Sequence, residues 1–326
     1  MRVISVCAVV VGHAYPGMPG EEYLQIWRMP LFFFLAGFFF STSRTFSDEF
    51  SVRWRTLAIP YISWFLILLG AVWAIEHSPW PFGDYVISGA LAGGASTDMP
   101  FLAFWFISVL FFAALLLRLV LRLPWWVGVV VALVGLTLAE LPESRMAYTL
   151  LGVGLVPACM SYMLAGHWFR RLGARVPART PVGLGLLVLG FGGIALGAQT
   201  MNMKWSGFGT YLLSPALAVI ICCGLVLIFS TVVDATLRRS ERAVTAITEL
   251  VRTGTLVVFA HALVLYVALR WLDLEGPLTR TLLALVLCWA LGMLINRTPL
   301  SPHLTGLPAR RSPRTPEPAS PAARHR

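Results

Sequence analysis

Apolar residues run through this sequence in long blocks, without the two-residue or 3.6-residue alternation of half-buried elements. Ten blocks stand out, over residues 2–15, 28–44, 56–76, 101–121, 124–140, 147–169, 181–199, 209–233, 251–271 and 278–296. Most approach or reach the roughly 20 residues a helix needs to cross a hydrocarbon layer about 30 Å thick. Inside lipid a backbone must satisfy its own hydrogen bonds, so each block reads as a helix. The pattern predicts an all-α, polytopic membrane bundle of about ten transmembrane helices over residues 1–297. Residues 78–100, opening on Ser78-Pro79-Trp80-Pro81, read as a long loop whose Tyr85–Gly89 stretch lies along the interface. Residues 298–326, rich in Pro, Arg and Ser, read as a disordered cytoplasmic tail.

Composition explains why these blocks cannot all be core. Hydrophobic residues make up 58% of the chain and charged residues 12%, against roughly 25% charged in soluble domains. A soluble fold would lack a charged skin, so lipid must cover much of the surface. The formal net charge of +10 would suggest nucleic acid in a soluble protein, but here the cations sit at the ends of apolar blocks. With the N-terminus inside, all but five of the 25 lysines and arginines fall on one side, the exceptions being Arg28, Arg145, Lys204, Arg270 and Arg280. That bias predicts a multi-pass protein of the inner (plasma) membrane with both termini cytoplasmic and no nucleic-acid partner. The five cysteines lie inside apolar blocks with no metal-ligand spacing, and no metal site is expected. The first block is followed by Gly12-His13-Ala14-Tyr15-Pro16, not by a small-x-small cleavage site, so it is expected to stay in the mature chain. As a helix it measures only about 21 Å, which implies a recessed helix or a start lying upstream.

Ionisable groups within apolar blocks are costly and mark candidate chemistry. His13 closes the first block and Arg2 opens it. Eleven helical steps bring the two to within roughly 20° of the same face, about 16 Å apart along the axis. Arg2 at the cytoplasmic mouth suits an anionic donor, and His13 at depth suits proton transfer; the alternative is a histidine that merely ends a helix. His261 sits mid-block, as a site residue or as a core histidine bonded to a neighbouring carbonyl. His77 falls in the outer loop and His167 at a cytoplasmic helix end, and both read as interfacial polar groups without a catalytic role. Arg53 and Arg55 precede Ile59-Pro60-Tyr61; guanidinium forks suit phosphates, although on position alone a topology signal is the favoured reading. Gly183, Gly185, Gly190, Gly192, Gly193 and Gly197 read as close-packing positions in one helix. No Gly-x-Ser-x-Gly elbow, Walker loop or dinucleotide fingerprint is present.

Taken in order, several of these segments resemble the acyltransferase 3 family, whose members include membrane sugar O-acetylase-like enzymes. They are Arg2-Val3-Ile4-Ser5-Val6 with Val11-Gly12-His13, Met29-Pro30-Leu31-Phe32-Phe33-Phe34-Leu35-Ala36-Gly37-Phe38, the basic segment before Ile59-Pro60-Tyr61, Phe104-Trp105-Phe106, and Leu256-Val257-Val258-Phe259-Ala260-His261. The resemblance covers the chain to about residue 296. It implies a ten-helix enzyme that moves an acyl group, often acetyl from acetyl-CoA, to a hydroxyl of a carbohydrate or related acceptor. It implies His13 as catalytic residue with Arg2 as its partner, and Arg53 with Arg55 as donor-binding residues. Arg28, Trp105 and His261 are pocket candidates. The chain differs from the family pattern in having Arg55 and Thr56 in place of an Arg-x-x-Arg pair, Arg28 where a histidine is frequent, and Ala36 where a serine is frequent. Residues that usually precede the basic position, often with an Asp, are missing, which also points to an upstream start. The competing readings are a multi-pass transporter and a truncated, non-catalytic family member.

Overall fold

The structure is a computed structural model that describes residues 1–76 and 85–310. Its helices in chain order are α1 (Arg2–Ala14), α2 (Glu21–Phe38), α3 (Phe46–Arg53), α4 (Ile59–Glu76), α5 (Val86–Ala92), α6 (Phe104–Val120) and α7 (Trp125–Glu140). There follow α8 (Val156–Gly173), α9 (Arg179–Ala195), α10 (Leu213–Ile228), α11 (Asp234–Leu237), α12 (Glu241–Arg270), α13 (Pro277–Ile295) and α14 (Ser301–Leu304). Single π turns at Trp54–Ala58 and Phe229–Val233 join α3 to α4 and α10 to α11 into continuous rods. All ten apolar blocks are largely helical. Among the described residues, five rods are long and apolar enough to cross a membrane: Phe46–Glu76, Leu150–Gly173, Leu213–Leu237, Glu241–Arg270 and Pro277–Ile295. α1, α6, α7 and α9 are apolar but shorter.

Several helices outrun their apolar blocks, because local capping sets where a helix starts. α3 begins at a capping box in which Thr45 Oγ1 accepts from the Asp48 amide and the Asp48 carboxylate accepts from the Thr45 amide. The rod therefore starts ten residues before the expected 56. At α12 the Ser240 hydroxyl accepts from the Ala243 amide, a simple N-cap, and that helix starts at 241 instead of 251. α2 starts at Glu21, with two acids in its first turn, where only 28 onward was expected. The first part of the expected tail, residues 298–310, packs against the bundle instead. Ser301 and Thr305 are buried, Trp64 Nε1 donates to the Leu304 carbonyl at 3.0 Å, and Arg310 pairs with Glu249 at 2.6 Å. Polar groups of the segment thus find partners on α4 and α12, which anchors residues 298–310; the rest of the expected tail, like His77, lies outside the described residues. Of the 78–100 loop, residues 86–92 form α5, with Val86 and Ala90 buried and Ile87 and Leu91 exposed.

The bundle is built around α6, whose residues from Phe104 to Phe111 are all buried. α8 packs against α2, α6 and α7, and α1 lies against α2, α12 and α13. The α2–α8 crossing is close because it has no Cβ in the way: one at Gly166 would overlap the Phe34 carbonyl and one at Gly37 the Met163 carbonyl. In α9, Gly183, Gly190 and Gly193 meet α10, whereas Gly185 and Gly192 face open space; Gly197, expected in the same helix, lies just past its end with a positive φ of 104°. Outward residues such as Leu66, Val188, Leu278 and Val286 are exposed and apolar, as a lipid-facing surface requires.

Candidate active site

α1 and α12 bring together two histidines 248 positions apart. His13 Nδ1 lies 2.8 Å from His261 Nε2, and the ring planes differ by 11°. The centroid separation of 5.1 Å is about what two ring radii add to that gap, so the rings meet edge to edge, joined by an in-plane hydrogen bond. The bond has a defined polarity. His261 Nδ1 is 2.9 Å from the Val257 carbonyl, which can only accept, so Nδ1 carries the hydrogen. In neutral His261 that leaves Nε2 as an acceptor, and His13 Nδ1–H must donate to it. The lone pair of His13 is then on Nε2, which has no protein partner among the described residues. His261 is fully buried. His13 lines a cavity of about 430 Å³.

Arg28 on α2 reaches into the same cavity. Its guanidinium lies over Gly12, where a Cβ would overlap Nη1, and Nη1 is buried with no hydrogen-bond partner among the described residues. A residue with a side chain at position 12 would push this cation away from His13. The backbone at this level is held by Ser5 Oγ, which donates to the Arg28 carbonyl at 3.0 Å. Trp105 and Phe106 of α6 and Phe32 of α2 supply aromatic wall. Glu21 holds the mouth: its carboxylate accepts from the Gly17 amide at 2.6 Å and from Gln25 Nε2 at 2.5 Å.

Two loops complete the cavity, and sequence reading missed both. Residues 95–98 and 201–205 form its rim, tied together where Lys204 Nζ donates to the Thr97 carbonyl. The ammonium also sits 4.8 Å from the Trp205 ring centroid. Burial pushes the Lys204 ammonium down to about 8, partly offset by the Asp98 carboxylate. A single lysine among 24 arginines, sitting beside a tryptophan, was the available signal. The lining therefore combines aromatic faces, amide and carboxylate groups, the His13 imidazole, and the cations Arg28 and Lys204.

The arginines predicted with His13 are elsewhere. Arg2 stands at the far end of α1, its guanidinium 5.5 Å from the Phe39 ring centroid. Arg53 lies 5.7 Å from the Phe40 ring centroid and pairs with the fully buried Glu49 at 2.6 Å; Arg118 and Arg44 share the same carboxylate at 3.1 and 3.4 Å. Neither Arg2 nor Arg53 lines the histidine cavity. Buried side chains of the intervening turns, Val6, Val10 and Phe33 among them, fill the space along α1 and α2. Arg55 parts from Arg53. Two helical steps turn a side chain by roughly 200°, and Arg55 sits on the exposed face beside Phe50 and Trp54. His167 is buried at the arginine-rich end of α8.

A family model described as an acyltransferase domain matches residues 1–297. No curated protein and no solved structure matches the chain.

Proposed function

The chain belongs to the acyltransferase 3 family and is an acyltransferase of membrane type, and from that premise we propose that it transfers an acyl group, acetyl in the simplest case, from acyl-CoA to a hydroxyl of a carbohydrate or related acceptor. The observation that carries this reading is that His13, whose Nε2 has no protein partner among the described residues, lines a cavity together with Arg28, whose Nη1 is buried and unpaired. We place ten helices across the inner membrane, with the arginine-rich end and both termini in the cytoplasm. The histidine cavity then faces the other side, where its aromatic walls and polar groups suit a sugar ring.

The chemistry follows from the tautomer. The acceptor hydroxyl gives its proton to His13 Nε2 as its oxygen attacks the thioester carbonyl. The resulting imidazolium is stabilised because Nδ1–H already donates to His261. Arg28, with a free N–H, serves the negative charge that develops on the carbonyl oxygen. When the tetrahedral intermediate collapses the C–S bond breaks, and the departing thiolate takes the proton from His13. The products are an ester and free CoA, and His13 returns to its neutral state. His13 is thus the catalytic base, His261 its positioning residue and Arg28 the charge-stabilising group. Arg2, about 16 Å from His13 along α1, and Arg53 on α3 favour the donor's phosphates. Donor entry requires the packed turns around Val10 and Phe33 to part.

The test is acyl transfer in proteoliposomes with labelled acetyl-CoA and a panel of sugar acceptors, comparing wild type with His13→Ala. Labelled ester and free thiol should form together, and His13→Ala should lose at least a hundredfold in rate. Normal turnover by folded His13→Ala protein would remove the catalytic assignment, and passage of intact thioester or sugar across the bilayer would favour a transporter.

A further inference from the structure

We infer that the arginine-rich end carries a second, separate pocket that binds the phosphate-bearing nucleotide end of the acyl donor; this rests on the acyl-CoA reading above. The pocket is a cavity of about 360 Å³ between the ends of α6, α7 and α8. Arg44, Arg118, Arg122 and Arg171 line it, together with His167, and no acidic side chain does. Glu49 lies beneath and is already shared by Arg44, Arg53 and Arg118. Arg122 and Arg171 have no acidic partner among the described residues, so the pocket keeps an unbalanced positive charge.

An inside-facing excess of arginine is expected of any membrane protein. Topology alone does not explain why four arginines converge on one concavity, nor why polar atoms there are buried without partners. His167 is 5% exposed, and its Nδ1 has no hydrogen-bond partner among the described residues. Arg118 is 3% exposed, and its Nε is likewise unpaired. Buried polar groups are ordinarily satisfied, and an unsatisfied pair in a cationic hollow points to an absent anionic ligand. Forked guanidinium donors match phosphate oxygens. Trp125 and Trp168 add aromatic faces on which a nucleobase can stack.

The position of the pocket connects it with the histidine site. Arg118 lies 4.5 Å from the Phe40 ring centroid, on the ring that Arg53 also covers. Arg2 covers the adjacent Phe39. A cationic ledge thus runs from the pocket across the end of α2 to the foot of α1, which leads up to His13. A nucleotide seated in the pocket would direct its thioester arm along that ledge.

An anionic lipid headgroup offers the same phosphate chemistry at a bilayer edge, so the test separates the two. Full-length protein in nanodiscs of zwitterionic lipid is titrated with adenosine 3′,5′-bisphosphate, which has no thioester and cannot turn over. Saturable binding is expected, weakened at least tenfold in Arg122→Ala/Arg171→Ala and only partly restored by lysines at both positions. His13→Ala should bind the bisphosphate as wild type does while losing acyl transfer, so the pocket and the catalytic assignment fail independently. Absent binding, or binding indifferent to Arg122 and Arg171 in well-folded protein, overturns the proposal. So does arginine-dependent capture of short-chain phosphatidylglycerol that the bisphosphate does not displace.

Discussion

Removing the acceptor for His13 Nδ1–H tests the site more sharply than removing His13 itself. In His261→Ala the bond of 2.8 Å is lost in a fully buried place. The imidazolium that His13 becomes during proton transfer then lacks its partner. A hydrogen bond to a charged group contributes about 1.5–3 kcal/mol. At about 1.4 kcal/mol per factor of ten, kcat should fall by roughly 10- to 150-fold. KM for either substrate should change little, because His261 does not line the cavity. His261→Gln offers a carbonyl oxygen to the same N–H and should recover part of the rate, which a purely space-filling role would not give. The assay is steady-state thiol release in proteoliposomes, with each variant first checked for a monodisperse elution profile. A His261→Ala enzyme within twofold of wild type in kcat, or one impaired only through KM, would refute the tautomer argument.

Three further outcomes follow from the structure. Gly12→Ala should keep the fold, since the flexible Arg28 side chain can move, but displacing that guanidinium should lower kcat by about 10²–10³; kinetics beside a thermal melt check this. Glu49→Ala leaves the buried Arg118 and the half-buried Arg53 without their carboxylate and should lower stability by about 3–5 kcal/mol, with a smaller loss in Glu49→Gln, seen as a drop in Tm in detergent. For Lys204, burial pushes the ammonium to about 8 from an ordinary value of 10.5. Between those values the unfolded chain still binds a proton that the folded chain has released, so rising pH favours the fold. The Tm of wild type minus that of Lys204→Met should therefore be flat below pH 7 and grow from pH 8 to 10; a difference that shrinks over that window contradicts the burial argument.

Some of the site was written in single helices. His13 at the end of an apolar block, His261 in the middle of another and Arg28 before Met29-Pro30 are each costly in lipid, and that cost is visible without a fold. The divergence of Arg53 and Arg55 was legible too, since two helical steps place side chains on nearly opposite faces. The extra turns of α3 and α12 followed from Thr45 with Asp48 and from Ser240, polar signals that an apolar-block reading passes over. The anchoring of residues 298–310 was not legible, because its partners Trp64 and Glu249 are remote in sequence.

From the sequence alone came the helical class, the membrane as solvent, the gathering of arginine at one end and the candidate imidazoles. Lipid acts on each helix separately, so these properties are local and additive along the chain. The tertiary structure decided which nitrogen of His13 is free, which cation stands beside it and which loops wall the cavity. Those depend on hydrogen bonds and close approaches between segments as far apart as residues 13 and 261 or 97 and 204. No local pattern encodes such contacts, because their geometry exists only once helices with small residues at their crossings have packed together.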